Sequence, residues 1–117
     1  MSKESGYEEE LTYLIEYARM SPVYFTPVRD AAEAVAGPEA TEEQIQEMTV
    51  KLIGDMLNRG VRIGDMSPVP GEMVVPWELS HDEALRKVAD KMQRIGDPLN
   101  FVHICWFDFP AGDPSTE

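Results

Sequence analysis

Two residues in the C-terminal run Phe101 to Phe109, FVHICWFDF, are of types that could do chemistry together. His103 and Cys105 are two positions apart, which on a strand puts them on one face, as a base and the nucleophile it activates would need. Their surroundings argue the other way. A thiol set among aromatic and branched residues is held protonated by its apolar environment, and no further polar group is placed by spacing to orient the imidazole. The same two side chains as metal ligands would need two more donors. His81 is one donor type, but it falls in the first turn of a predicted helix, where exposure is the ordinary outcome. Glu43 and Glu47 lie one helical turn apart, as an acid/base or metal pair would, yet Glu47 also stands one turn before Lys51 in the stabilising order of an ion pair. No phosphate-cradling glycine loop, zinc spacing, calcium loop or nucleophile elbow is present. The expectation is therefore a protein with no catalytic residues, no metal and no cofactor; a small Cys/His enzyme is the alternative.

Charge carries more information than these pairs. The chain has 22 acidic against 10 basic residues, a net charge of −12, a field that repels nucleic acid and anionic lipid and steers cationic partners inward. The order helix, helix, hairpin from Pro27 to Val75 is that of a winged helix. The helix that would enter the DNA groove, however, presents Glu42, Glu43, Glu47 and Asp55 against Lys51 and Arg59, which adds repulsion instead of phosphate contacts. What remains is protein recognition. Trp77, Trp106, Phe107 and Phe109 cluster in the C-terminal half, and aromatic anchors rimmed by charge are what interface cores use. The partner expected is a basic protein, with neither nucleic acid nor membrane; a homodimer is compatible with this reading. Candidate partner-binding residues are Glu42, Glu43, Glu47, Asp65, Trp77 and Glu78.

The elements that must position these residues are legible from start and stop signals. Thr41 to Gly60 is the central helix. Thr41 and Gln44 form a capping box, Glu42 and Glu43 suit the positive end of the dipole, and Gly60 can turn left-handed to end it. Ile45, Met48, Leu52, Ile53, Met56 and Leu57 make its apolar stripe. A first helix is predicted over Ser5 to Met20, with a Ser5–Glu8 capping box and Tyr7, Leu11, Leu14, Ile15 and Ala18 on one face. After an extended connector, Val23 to Phe25, Thr26 caps a short helix over Pro27 to Ala36. Val61 to Ile63 and Met73 to Val75 read as a hairpin, and Pro68 and Pro70 belong to its tip. Ser80 with Glu83 is a third capping box, opening a last helix that runs to Ile95 and stops at Gly96. Phe101 to Phe109 is the strongest strand, and residues 110–117 read as a flexible tail.

These elements amount to an α+β fold, mostly helical, with about four helices and a small antiparallel sheet made from the hairpin and the C-terminal strand. A chain of 117 residues is sized for a single domain over 1–117 that can bury a core without disulfides. One Cys fits a reducing compartment, no apolar run approaches the ~20 residues a membrane span needs, and the opening MSKESGYEEE has no signal-peptide core. A cytoplasmic location is expected.

The run Leu57 to Asp65, then Trp77, then Ser80 to Gly96, then Ile104-Cys105-Trp106-Phe107 and Ala111-Gly112 resembles small bacterial proteins in which a helix, a Gly-Asp turn, a Trp and a Trp-Phe strand recur. It also looks like the acidic immunity proteins encoded beside secreted toxins. The likeness covers about half the chain and implies a non-enzymatic inhibitor of a basic bacterial toxin such as a nuclease. A secretion-chaperone-like binding protein, likewise small and acidic, is the neighbouring alternative.

Overall fold

The computed structural model describes residues 3–67 and 74–109. In chain order the elements are helix α1 (Lys3–Met20), strand β1 (Val23–Tyr24), α2 (Phe25–Ala36), α3 (Glu42–Asn58), β2 (Arg62–Met66), β3 (Val74–Pro76), α4 (His81–Ile95), a 3-10 helix η1 (Pro98–His103) and β4 (Trp106–Asp108). This is an α+β fold, mostly helical, with a four-stranded antiparallel sheet in the order β1-β4-β2-β3. Among the described residues, no helix is long and apolar enough to cross a membrane.

Two of the expected capping boxes form in full. The Thr41 Oγ1 accepts from the Gln44 amide at 3.1 Å while the Gln44 side chain accepts from the Thr41 amide at 2.9 Å. Ser80 and Glu83 repeat the arrangement at 3.1 and 2.9 Å. At the far end of α3, Gly60 takes φ 103°, and the amides of Gly60 and Val61 return to the carbonyls of Leu57 and Met56. The chain is thereby turned straight into β2. The third expected box does not start its helix, because α1 is already helical from Lys3 and Ser5 lies inside it. The expected cap at Thr26 is likewise displaced. Helix α2 begins at Phe25 with Tyr24 as its N-cap and no side-chain cap bond. Pro27 then falls in the first turn, where the missing N–H costs nothing.

Val23 and Tyr24, expected as a connector, form an edge strand paired with β4 through Val23↔Phe107 and Tyr24↔Trp106. Strand β2 pairs with β4 through Ile63↔Phe107 and Gly64↔Trp106, and with β3 through Gly64↔Pro76 and Asp65↔Val75. Opposed residues share a face, so the row Val23, Phe107, Ile63 turns inward and is buried. The row Tyr24, Trp106, Gly64, Pro76 turns outward. Pro22 precedes one edge strand and Pro76 closes the other, so among the described residues neither edge offers a long template for a further strand. The hairpin-tip residues Pro68 and Pro70, Met73, and the tail 110–117 lie outside the described residues.

The C-terminal strand is much shorter than predicted. Asp97 accepts from the Leu99 amide through Oδ1 at 3.0 Å, Pro98 fixes the first position, and the chain coils as a 3-10 helix as far as His103. The coil turns Phe101 into the core, edge-on to Phe25 with ring centroids 6.0 Å apart. A strand would have placed successive residues on opposite faces. One hydrophobic core results, with α2 laid on α3, α1 against both, and α4 covering α3 and η1.

Candidate functional site

The Cys/His pair is not assembled. His103 ends η1 and is exposed, while Cys105 is 0% exposed, and burial pushes its thiol far above the ordinary range. Among the described residues, no three His, Cys, Asp or Glu side chains come together in a metal-binding group.

The six candidate partner-binding residues fall into two groups. On α3, Glu42 is already engaged: it accepts from Arg29, whose side chain is largely buried, and from Gln46 at 2.9 Å. Glu43 and Glu47 are exposed and line a shallow groove of about 330 Å³ between α3 and α4, floored by Val50, Ala89 and Met92. The second group belongs to the hairpin and its exit. Asp65 and Glu78 are exposed. Trp77 is half-buried, with the Lys87 ammonium 4.1 Å and the Lys91 ammonium 5.3 Å from its ring centroid. Its buried Nε1 has no hydrogen-bond partner among the described residues. Such a ring is held by its own chain's cations and is poorly presented to a partner. Of the other aromatics singled out, Phe107 is core, Phe109 lies beneath the Arg19 guanidinium at 4.3 Å, and Trp106 is half-buried on the outer sheet row.

The aromatic surface lies elsewhere. Helix α1 carries Glu10, Tyr13 and Tyr17 at positions i, i+3 and i+7, and α2 carries Pro27, Asp30, Ala31 and Ala34 at comparable spacing, so each set forms one stripe. Both stripes line one groove of about 350 Å³, to which Tyr24 of β1 adds a further ring. Small side chains at Ala31 and Ala34 leave the space that the tyrosines overlook. Tyr13 is 53% exposed and tilts against Tyr17, centroids 5.9 Å apart. Tyr24 does the same with Trp106 at 5.8 Å, which carries the aromatic band onto the sheet.

Electrostatics single out this groove further. Nearly every Lys or Arg whose side chain is described is engaged. Arg29 pairs with Glu33 and Glu42, Arg59 with Glu8, Arg62 with Asp108 and Arg94 with Asp90. Arg19, Lys51, Lys87 and Lys91 lie over aromatic rings. No basic residue lines the groove, and Glu10 and Asp30 form no ion pair among the described residues. The hydroxyl of Tyr7, by contrast, is spent inside the fold on the Asp55 carboxylate.

Tyr7, Leu11, Leu14, Ile15 and Ala18 form the buried face of α1, as the sequence pattern predicts; Tyr13 and Tyr17 were not among the predicted candidates. A usable signal was there: Tyr13 and Tyr17 at i and i+4, off the apolar stripe, with Glu10 one turn before. That Tyr24 and Asp30 would join them follows only from how α2 sits on α1. No protein-family model, curated protein or solved structure matches the chain.

Proposed function

We propose that this chain is a non-enzymatic, acidic protein-binding protein that docks on a basic protein partner, most concretely an immunity protein that covers the active site of a basic toxin such as a nuclease. The observation that carries this reading is the groove in which three tyrosines stand beside two carboxylates with no counter-charge among the described residues, on a chain of net charge −12. Tyrosine supplies large contact area at low conformational cost and is enriched at interface cores. Unpaired carboxylates steer a cationic partner and set the encounter rate, while the rings set residence time. A nuclease surface built to hold phosphates is cationic, so an acidic protein suits it and competes with its substrate.

The test is to mix the chain with the protein encoded by the adjoining reading frame and follow association by stopped-flow fluorescence at low and high salt. Association should slow on the order of tenfold or more with added salt, slow further in Asp30→Lys, and abolish the partner's enzymatic activity. Absence of a complex at low ionic strength, or association indifferent to salt and to Asp30→Lys, would refute the reading.

A further inference from the structure

Resting on that reading, we infer that the α1–α2 groove is an arginine pocket: its occupant is the guanidinium of one arginine side chain projecting from the partner. At about 350 Å³ the space is at the bottom of the ~300–1,000 Å³ typical of small-molecule sites, which suits a single side chain. Its walls are matched to a flat cation. The ring planes of Tyr13 and Tyr17 are inclined at 54° to each other, and Tyr24 adds a third ring to the lining. A guanidinium stacks on such faces and is more weakly hydrated than an ammonium, so it loses less on leaving water. Its five N–H donors can serve two carboxylates and the tyrosine hydroxyls together, whereas an ammonium has three. Glu10 and Asp30 are the acceptors, one from each wall. The hydroxyls of Tyr13, Tyr17 and Tyr24 make no hydrogen bond to any described residue, so none of them is already committed within the described fold.

The α3–α4 groove lacks this chemistry. It also has two carboxylates, Glu43 and Glu47, but its floor is Val50, Ala89 and Met92 with no ring among its lining. A cation there would meet charge without a stacking surface. The pairing of rings with unneutralised acid is what distinguishes the tyrosine groove and selects a planar cation over a point charge.

The test uses the full chain with isotope-labelled tyrosines, titrated at low salt with three acetylated, amidated glycine-serine peptides that differ only at a central arginine, lysine or citrulline. Ring signals of Tyr13, Tyr17 and Tyr24 should shift with the arginine peptide. The lysine peptide should bind about 5-fold more weakly or worse, and the citrulline peptide, planar but uncharged, should leave the signals in place. Tyr13→Ala, an exposed substitution that spares the core, and Asp30→Asn should each weaken the arginine response. Equal or stronger binding of lysine would overturn the arginine assignment while leaving the basic-partner reading intact. A partner complex that forms without moving these tyrosine signals would overturn the pocket itself. If neither the peptides nor the partner bind at low salt, both readings fall. Tyrosine signals that shift with protein concentration alone would assign the groove to a second copy of this chain and overturn the inference.

Discussion

The guanidinium of Arg62 meets the carboxylate of Asp108 through two parallel hydrogen bonds, Nε to Oδ1 at 2.9 Å and Nη2 to Oδ2 at 2.7 Å, across directly opposed positions of β2 and β4. The pair ties the strand that follows α3 to the C-terminal strand, and Asp108 is well shielded while Arg62 is partly open. The bidentate geometry holds the guanidinium charged, raising its pKa further. Asp108→Asn keeps the shape and removes the charge, so it should cost about 1–2 kcal/mol in urea denaturation. Arg62→Lys should cost nearly as much, because an ammonium cannot reproduce the fork.

Gly64 sits between Trp106 and Pro76 in the outer sheet row, where the neighbouring strand comes unusually close. A Cβ there would lie 2.8 Å from the Pro76 Cα and would run into the Val75 carbonyl. Both obstacles are backbone, so neither can swing aside. Gly64→Ala should lower stability by about 3 kcal/mol or more, whereas the same change at Gly6, where a Cβ meets nothing, should be neutral or stabilising because it removes a glycine from a helix. Thermal melts of the two variants make the comparison.

Two buried groups set the alkaline limit of stability. Burial pushes the Cys105 thiol above its ordinary value of 9.0. Burial, followed by the hydrogen bond to Asp55, pushes the Tyr7 phenol above its ordinary 10.0. In each case the folded state holds the proton that the unfolded state releases. The stabilisation is therefore complete below the ordinary values and is lost as pH rises above them toward the raised folded values. The melting temperature should be flat near neutrality, decline from about pH 9, and decline more steeply above about pH 10. Cys105→Ala should flatten the first part of the decline and Tyr7→Phe the second.

Cys105 should resist iodoacetamide in the native protein, since it has no exposed surface and is held as the unreactive thiol. Alkylation should become rapid in denaturant and track global unfolding. Fast native labelling near neutral pH, read by mass spectrometry, would contradict this burial.

The capping boxes should be worth measuring singly. Thr41→Ala and Ser80→Ala each remove one side-chain acceptor and should each cost about 1 kcal/mol. The two sites share no partner, so the double variant should be additive in denaturant titrations.

Much of this molecule was written locally. The capping boxes at Thr41 and Ser80, the glycine stops at Gly60 and Gly96, and the apolar faces of α1, α3 and α4 depend on residues within a turn or two of one another, and short-range chemistry settles them. The C-terminal run shows where local reading ends. Its residues favour a strand, but Asp97 and Pro98 start a 3-10 coil and the core needs Phe101 beside Phe25, so only Trp106 to Asp108 pair. That same coil leaves His103 exposed while Cys105 is buried.

The chain's composition alone established an acidic molecule in which carboxylates outnumber lysines and arginines by 22 to 10. Which carboxylates stay free was decided by the tertiary structure. Glu42, expected at the surface for a partner, is consumed by Arg29 from α2, and Trp77 is covered by lysines from α4. Glu10 and Asp30 form no ion pair among the described residues, and the groove they line between α1 and α2 is otherwise made of tyrosines, alanines and a proline. Ion pairing and ring exposure depend on which helix faces oppose each other, a property of packing between segments distant in the chain, which no window of sequence contains.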